Sequence, residues 1–87
     1  MTISSAQCRA ARAMLEMDQS TLAAAANISR NTVVAFEKGQ RLPNMNNLLA
    51  IQSVFEAEGI EFIVEPDGTE SISWHPIQDH DYGYEPA

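Results

Sequence analysis

Apolar residues recur at the three- and four-residue spacing of helices that bury one face. Capping residues precede each such segment, and glycine follows the last two. The pattern predicts four helices, at about residues 5–16, 19–25, 30–38 and 45–58. The side chains expected to face a shared core are Cys8, Ala11 and Leu15, then Leu22 and Ala26, then Val33 and Phe36, and finally Leu48, Ile51 and Phe55.

Beyond Gly59 the period changes from helical to alternating. Two alternating runs, 60–65 and 69–74, flank the turn residues Pro66-Asp67-Gly68, which predicts a β-hairpin over 60–74. Residues 75–87 show no period, so we expect an acidic, flexible tail there. The expected fold is mainly α, with a compact four-helix bundle in a domain at 1–59 and a C-terminal β-hairpin.

Charge divides the chain unevenly. The 87 residues carry a net charge of −7. All five Lys and Arg residues lie in positions 1–41, whose net charge is +2, whereas residues 42–87 sum to −9. Such asymmetry indicates two surfaces with different roles. The single cysteine, Cys8, is expected to be a small buried or half-buried side chain and not a reactive thiol. No run is apolar enough for a membrane span or a secretory signal, and we expect a cytoplasmic protein with no membrane contact.

The segment Asp18–Gly39 has the pattern of two short helices joined by a tight turn, a unit that can present its second helix to the major groove of DNA. It resembles the Cro/C1-type (XRE) helix-turn-helix family of phage and bacterial repressors, and the resemblance extends over 5–59. Two features depart from the family pattern: Asn27 replaces a usual glycine, and four alanines occupy 23–26. The matching positions are Gln19, Leu22, Ala23, Ile28, Ser29, Thr32, Val33, Phe36, Glu37 and Gly39.

The resemblance implies that the partner is double-stranded DNA and that no cofactor is needed. Arg30 and Asn31 would begin the recognition helix and reach base edges, where Arg can pair with guanine and Asn with adenine. The alternative is that both are merely solvated residues of a surface helix. Val34 and Ala35 would meet thymine methyl groups, and the phosphate contacts would come from Gln19, Ser29, Thr32, Lys38 and Arg41. Arg12 and Glu37 match a pair that the family commonly uses as a structural ion pair.

The segment 56–63 resembles part of similar small regulators that continue into a C-terminal strand. By that resemblance strands pair between two copies, which gives a homodimer suited to a palindromic operator. The expected interface side chains are Ile60, Phe62, Val64, Ile72 and Trp74. For Trp74 two interpretations stay open: packing on its own helix at 45–58, or burial between subunits.

The leading hypothesis is a sequence-specific transcriptional regulator, either a repressor or a genetic switch. The alternative is an antitoxin or antiactivator that binds a protein partner through its acidic C-terminal half. No constellation of residues supports an enzyme. His75 and His80 lie near Asp79 and Asp81, but their spacing matches no standard metal site, so no metal is expected.

Overall fold

The helices begin where their capping residues predict. The computed structural model describes residues 2–77. Its elements are α1 (Ser5–Leu15), α2 (Gln19–Ala26), α3 (Arg30–Glu37), α4 (Met45–Ala57), β1 (Ile60–Val64) and β2 (Glu70–Trp74). Every helix starts at the predicted residue and ends within one residue of the predicted end, which is the usual uncertainty of a helix terminus. The predicted fold, four helices followed by a β-hairpin, is confirmed.

Side-chain caps define these helix ends. The Ser4 hydroxyl accepts from the Gln7 amide while the Gln7 side chain accepts from the Ser4 amide, so the two residues form a capping box. Asp18, Ser29 and Asn44 cap the other three helices in the same way. α1 is one residue shorter than predicted because Glu16 takes a left-handed conformation, with φ of 53°.

One core lies between the four helices and the hairpin. Of the side chains predicted to face it, all are buried except Leu15, which is half-buried against it. Phe55, Leu22 and Ile51 are the largest of the fully buried side chains. The hairpin contributes Ile60 and Phe62 to the same core, where Phe62 meets Phe55 edge-on with ring centroids 5.9 Å apart. The hairpin is therefore held by the bundle, as a two-stranded sheet requires.

The hairpin is antiparallel, and residues paired across it have their side chains on the same face. Its register pairs Ile60 with Trp74, Phe62 with Ile72, and Val64 with Glu70. All six therefore lie on the face that covers the helices. At one end of this face the Trp74 indole N–H donates to the Glu58 carbonyl at 3.0 Å. Trp74 thus contacts the end of its own α4, the first of the two interpretations of this residue.

This packing covers two of the five side chains expected at a dimer interface. Ile60 and Phe62 are only 3% and 8% exposed within the single chain, so they are not available to a second copy. Ile72 is half-buried against the same core. Val64 and Trp74 remain 42% and 38% exposed at opposite ends of the inner face. Alternation correctly predicted which side chains share a face, but the chain's own helices cover that face.

Gln7 attaches the hairpin to α1. This buried side chain donates from Nε2 to the carbonyls of Ile63 and Ser71, at 3.2 and 3.1 Å. These two residues are directly paired across the hairpin, so one amide holds both strands. Next to the last pair, the His75 amide donates to the Gly59 carbonyl at 2.8 Å. Of the predicted tail, residues 78–87 lie outside the described part of the chain.

Replacing Gly59 with alanine should destabilise the protein far more than the same change at Gly68. Both glycines have positive φ, at 95° and 91°, so an alanine at either position incurs a backbone penalty of about 1–2 kcal/mol. Only at Gly59 does the added Cβ also fall 1.9 Å from the His75 carbonyl oxygen; at Gly68 it meets open space. Chemical denaturation should show a loss above about 3 kcal/mol for Gly59→Ala. Equal losses at the two positions would contradict this account of the hairpin closure.

Candidate nucleic-acid interface

The turn between α2 and α3 is short and fixed. It consists of Asn27, Ile28 and Ser29. Asn27, which stands where the family usually has glycine, takes a left-handed conformation with φ of 59°. The Ile28 amide donates to the Ala23 carbonyl at 3.0 Å, and its side chain packs against the core. Leu22 and Ala23 of α2 and Val33 and Phe36 of α3 are buried in that same core, so the two helices form one rigid unit.

α3 carries its polar side chains on the surface. Its buried side chains are Val33, Phe36 and Glu37. Arg30 and Asn31 are exposed in the first turn, directly after the Ser29 cap. Helical spacing places Asn31, Val34, Ala35 and Lys38 together, away from Val33 and Phe36. Val34 and Ala35 are half-buried, whereas Lys38 is exposed. Asn31, Val34 and Ala35, three of the residues predicted to read bases, thus share the outward surface of the second helix, and exposed Arg30 lies to one side of them, next to Gln19.

The residues predicted to contact phosphates differ in their exposure and in the hydrogen bonds that they already make. Lys38 and Arg41 are exposed. The hydroxyls of Ser29 and Thr32 are 2.8 Å apart and bond each other, while Ser29 also accepts from the Thr32 amide. Both hydroxyls are thus already partnered. Gln19, also predicted to contact phosphate, is half-buried and bonded to other side chains.

A polar hollow of about 370 Å³ lies beside these residues. It is bordered by Thr32 of α3, by Arg41 in the loop, and by Asn44 and Asn47 at the start of α4. Neither Asn44 nor Asn47 was predicted from the sequence as a contact residue. The signal that could have identified them is a run of asparagines at a helix start, close behind Arg41.

Glu37 lies at the centre of a buried polar cluster, formed with Cys8, Arg12 and Gln19. Glu37 is only 4% exposed. Arg12 donates to both carboxylate oxygens, at 2.7 Å each, so the two residues form a bidentate ion pair. Gln19 Nε2 donates to Oε1 at 3.0 Å, and the Cys8 thiol donates to Oε2 at 3.1 Å. These four bonds join α1 and α2 to the last residue of α3.

The surroundings of Glu37 keep it ionised. Burial alone would raise its pKa, but the hydrogen bonds from Arg12, Gln19 and Cys8 outweigh burial, and the pKa lies below its ordinary value. The hydrogen bond to Glu37 raises the pKa of Arg12. Burial, and then the bond to Glu37, raise the pKa of the Cys8 thiol, which stays protonated as a donor. The cluster is therefore a charged pair with satisfied partners.

Two further bonds attach α1 to the end of α3. The Ser5 hydroxyl donates to the Phe36 carbonyl at 2.6 Å, and the Arg9 guanidinium donates to the Glu37 carbonyl. Carbonyls at a helix end have no partner within the helix, so these contacts satisfy groups that would otherwise need water. Arg9 and Arg12 thus serve the packing of α1 on α3, which leaves Arg30, Lys38 and Arg41 as the other cations of the described residues.

Comparison with known proteins agrees with this geometry. A family model described as helix-turn-helix matches residues 9–62, more than half of the chain. The chain belongs to the Cro/C1-type (XRE) helix-turn-helix family. The helix-turn-helix at its centre is α2, the turn 27–29 and α3, and the family is one of DNA-binding transcription regulators. A search of curated proteins found no match.

Within residues 2–77 no group of His, Cys, Asp and Glu side chains could hold a metal ion. Asp79, His80 and Asp81, considered above beside His75, fall outside the described residues. None of the helices described here has the length and apolar character needed to cross a membrane.

Replacing Glu37 with glutamine should lower stability and flatten its dependence on pH. Removing one partner of a buried pair costs about 3 kcal/mol. A carboxylate with a lowered pKa adds stability that is fully present above its unfolded pKa, near 4.5, and is lost as the pH falls through the folded value. As the pH decreases below about 4.5, the wild-type protein should therefore lose stability more steeply than Glu37→Gln does.

Denaturation at pH 7 and at pH 3 measures both effects. Glu16→Gln is the matched control. Because Glu16 is exposed, this substitution should leave stability nearly unchanged at either pH. A Glu37→Gln protein with unchanged stability at pH 7 would contradict a structural role for the pair.

Proposed function

We propose that the protein is a sequence-specific transcriptional regulator, a repressor or genetic switch, that reads an operator in the major groove. The observation that carries this is the pair Arg30 and Asn31, exposed in the first turn of the second helix of a helix-turn-helix. Both side chains can make bidentate contacts to bases, Arg to guanine and Asn to adenine. Val34 and Ala35 follow on the same surface and offer apolar contacts to thymine.

Contacts to the DNA backbone would come from the margins of this surface. Lys38 and Arg41 are exposed cations at and after the end of α3. Arg41 also borders the polar hollow with Asn44 and Asn47, whose amides can donate to phosphate oxygens. Thr32 borders the same hollow and Ser29 is bonded to Thr32, and we assign both to the same backbone contacts.

The charge distribution limits how tightly one copy can bind. Positions 1–41 have a net charge of only +2, and part of that positive charge serves the packing of α1 on α3. The hairpin exposes Glu61, Glu65, Asp67 and Glu70. Non-specific affinity depends on cations near phosphates, so it should be weak here. We therefore propose that two copies bind together.

We propose that the two copies pair through hairpin edges. Backbone bonds join Gly59 to His75 and Glu65 to Thr69, so the hydrogen-bonded pairs are the odd-numbered residues of β1. The backbone groups of Phe62 and of its partner Ile72 therefore point outward along the two edges. An open edge is a template for another strand. This route leaves the inner face on the helices, unlike the side-chain interface expected from the sequence.

Selection of bound DNA from a random pool tests the function directly. We expect enrichment of an inverted repeat, with affinity that falls steeply as salt rises. Arg30→Ala should weaken binding by about 1–3 kcal/mol and relax the preference at one base position in each half-site. Lys38→Ala should weaken binding to all sequences alike and reduce the salt slope by about 0.9. Failure to enrich any sequence would contradict the proposal, and unchanged binding by Arg30→Ala would refute this recognition surface.

Sedimentation measurements test the assembly. We expect a dimer mass at the concentrations that saturate the enriched operator, because the slight positive charge of one copy gives little binding alone. A monomer mass at those concentrations, together with protection of a single half-site, would overturn the dimer.

A protein-binding role has one observation in its favour. The exposed carboxylates of the hairpin could dock a basic partner, as an antitoxin or antiactivator would. Co-purification of an untagged neighbouring gene product distinguishes the two roles. If the protein binds such a partner through its hairpin, charge reversal at Glu61 and Glu65 should abolish co-purification and leave the selection of DNA intact.

A further inference from the structure

The β2 edge of the hairpin borders open space. In β2 the backbone groups that point away from β1 belong to Glu70, Ile72 and Trp74. A hollow of about 160 Å³ lies beside this edge, between β2 and α1. Its walls include Ala6 and Ala10 of α1 together with Ile72. The edge therefore has both room and apolar surface next to it.

α1 exposes an apolar stripe that continues from this hollow. Ala6, Ala10 and Ala13 recur at helical spacing, Met14 lies beside them, and all four are exposed. A surface helix usually turns polar or charged side chains to the solvent. Because alanine side chains are short, a second chain can approach this stripe closely. The stripe and the β2 edge thus form one continuous surface.

β2 is suited to pair with β2 of a second copy. When the two strands run antiparallel with Ile72 opposite Ile72, Glu70 of each lies opposite Trp74 of the other. All three outward-pointing residues then belong to pairs that exchange backbone hydrogen bonds. On the other face of the sheet Ser71 lies opposite Ser73, so hydroxyl groups meet there, and the two copies of Glu70 lie at opposite ends of the seam.

Charge disfavours the same pairing at the β1 edge. Glu61 lies in β1 and Glu65 directly follows it, and both are exposed. With Phe62 opposite Phe62, each Glu61 would be a diagonal neighbour of both Glu61 and Glu65 of the other copy. Moving one strand by two residues in either direction would place two glutamates directly opposite each other. Like charges so placed are destabilising, which leaves β2 as the favoured edge.

We infer that two copies join β2 to β2 about Ile72, and that the α1 stripe of each copy packs against the other copy beneath this seam. Antiparallel neighbours in one sheet are related by a two-fold axis perpendicular to it, so both helical bundles lie on the same side of the joined sheet. β1 and its carboxylates stay at the outer edges, where charge opposes the addition of further strands. The inference rests on the proposed pairing of two copies, and names the edge and the helix face that carry it.

Proline at Glu70, compared with proline at Val64, tests the edge. These residues are paired across the hairpin, both are exposed, and both amides point away from the neighbouring strand. Each substitution therefore removes one outward donor and no bond within the hairpin. In sedimentation measurements Glu70→Pro should weaken dimerisation about 10- to 100-fold, because each dimer loses two hydrogen bonds. Val64→Pro, the matched control, should leave dimerisation unchanged.

A charge on the α1 stripe tests the helix contact, and it stays informative if proline unfolds the hairpin. Ala10→Glu should leave the protein monomeric at concentrations where the wild type is a dimer, since the symmetry buries an unpaired carboxylate from each copy. Ala25→Glu, at an exposed alanine of α2, is the matched control and should form the dimer. Circular dichroism establishes which variants are folded.

Failure of the pairing differs from failure of this interface. If the wild type is monomeric at concentrations that saturate the operator, the proposed pairing of two copies is wrong and this inference falls with it. If a dimer forms and Val64→Pro alone dissociates it, the copies meet on β1. If neither proline nor Ala10→Glu affects the dimer, they meet elsewhere. Either of these results overturns the interface and leaves the proposed DNA binding intact.

Discussion

The structure depends on one buried charge. Ionised groups that leave water cost several kcal/mol each unless they are paired and fully hydrogen-bonded. Glu37 meets that condition only when Arg12 and Cys8 of α1 and Gln19 of α2 all reach its carboxylate. Any displacement of α3 relative to those helices would leave charge unpartnered. The carboxylate therefore fixes the helix that carries the surface residues in both position and rotation about its axis.

The rest of the molecule is arranged around that constraint. With its last residue held inward, α3 turns Val33 and Phe36 into the core and leaves Arg30 and Asn31 exposed. On the other side of α1, Gln7 holds both strands of the hairpin, and Phe62 closes the core against Phe55. α1 is thus the shared support, since one of its faces orders α3 and another orders the hairpin.

The sequence predicted the features that depend on local chemistry. Caps such as Asp18 and Asn44 set helix starts, and helical periodicity identified the core, because both signals act within a few residues. It was less informative where distant segments meet. Alternation placed Phe62 and Ile72 on one face of the hairpin. It did not predict that the chain's own helices cover that face. Gln19 shows the same limit: nothing local indicates that its amide donates to a carboxylate eighteen positions away.

The most direct test of this account is a crystal structure of the protein bound to its enriched operator. We expect the Arg30 guanidinium on a base edge in the major groove, with the Arg12–Glu37 pair unchanged. A complex in which Glu37 has separated from Arg12, with Arg30 directed away from the bases, would contradict it.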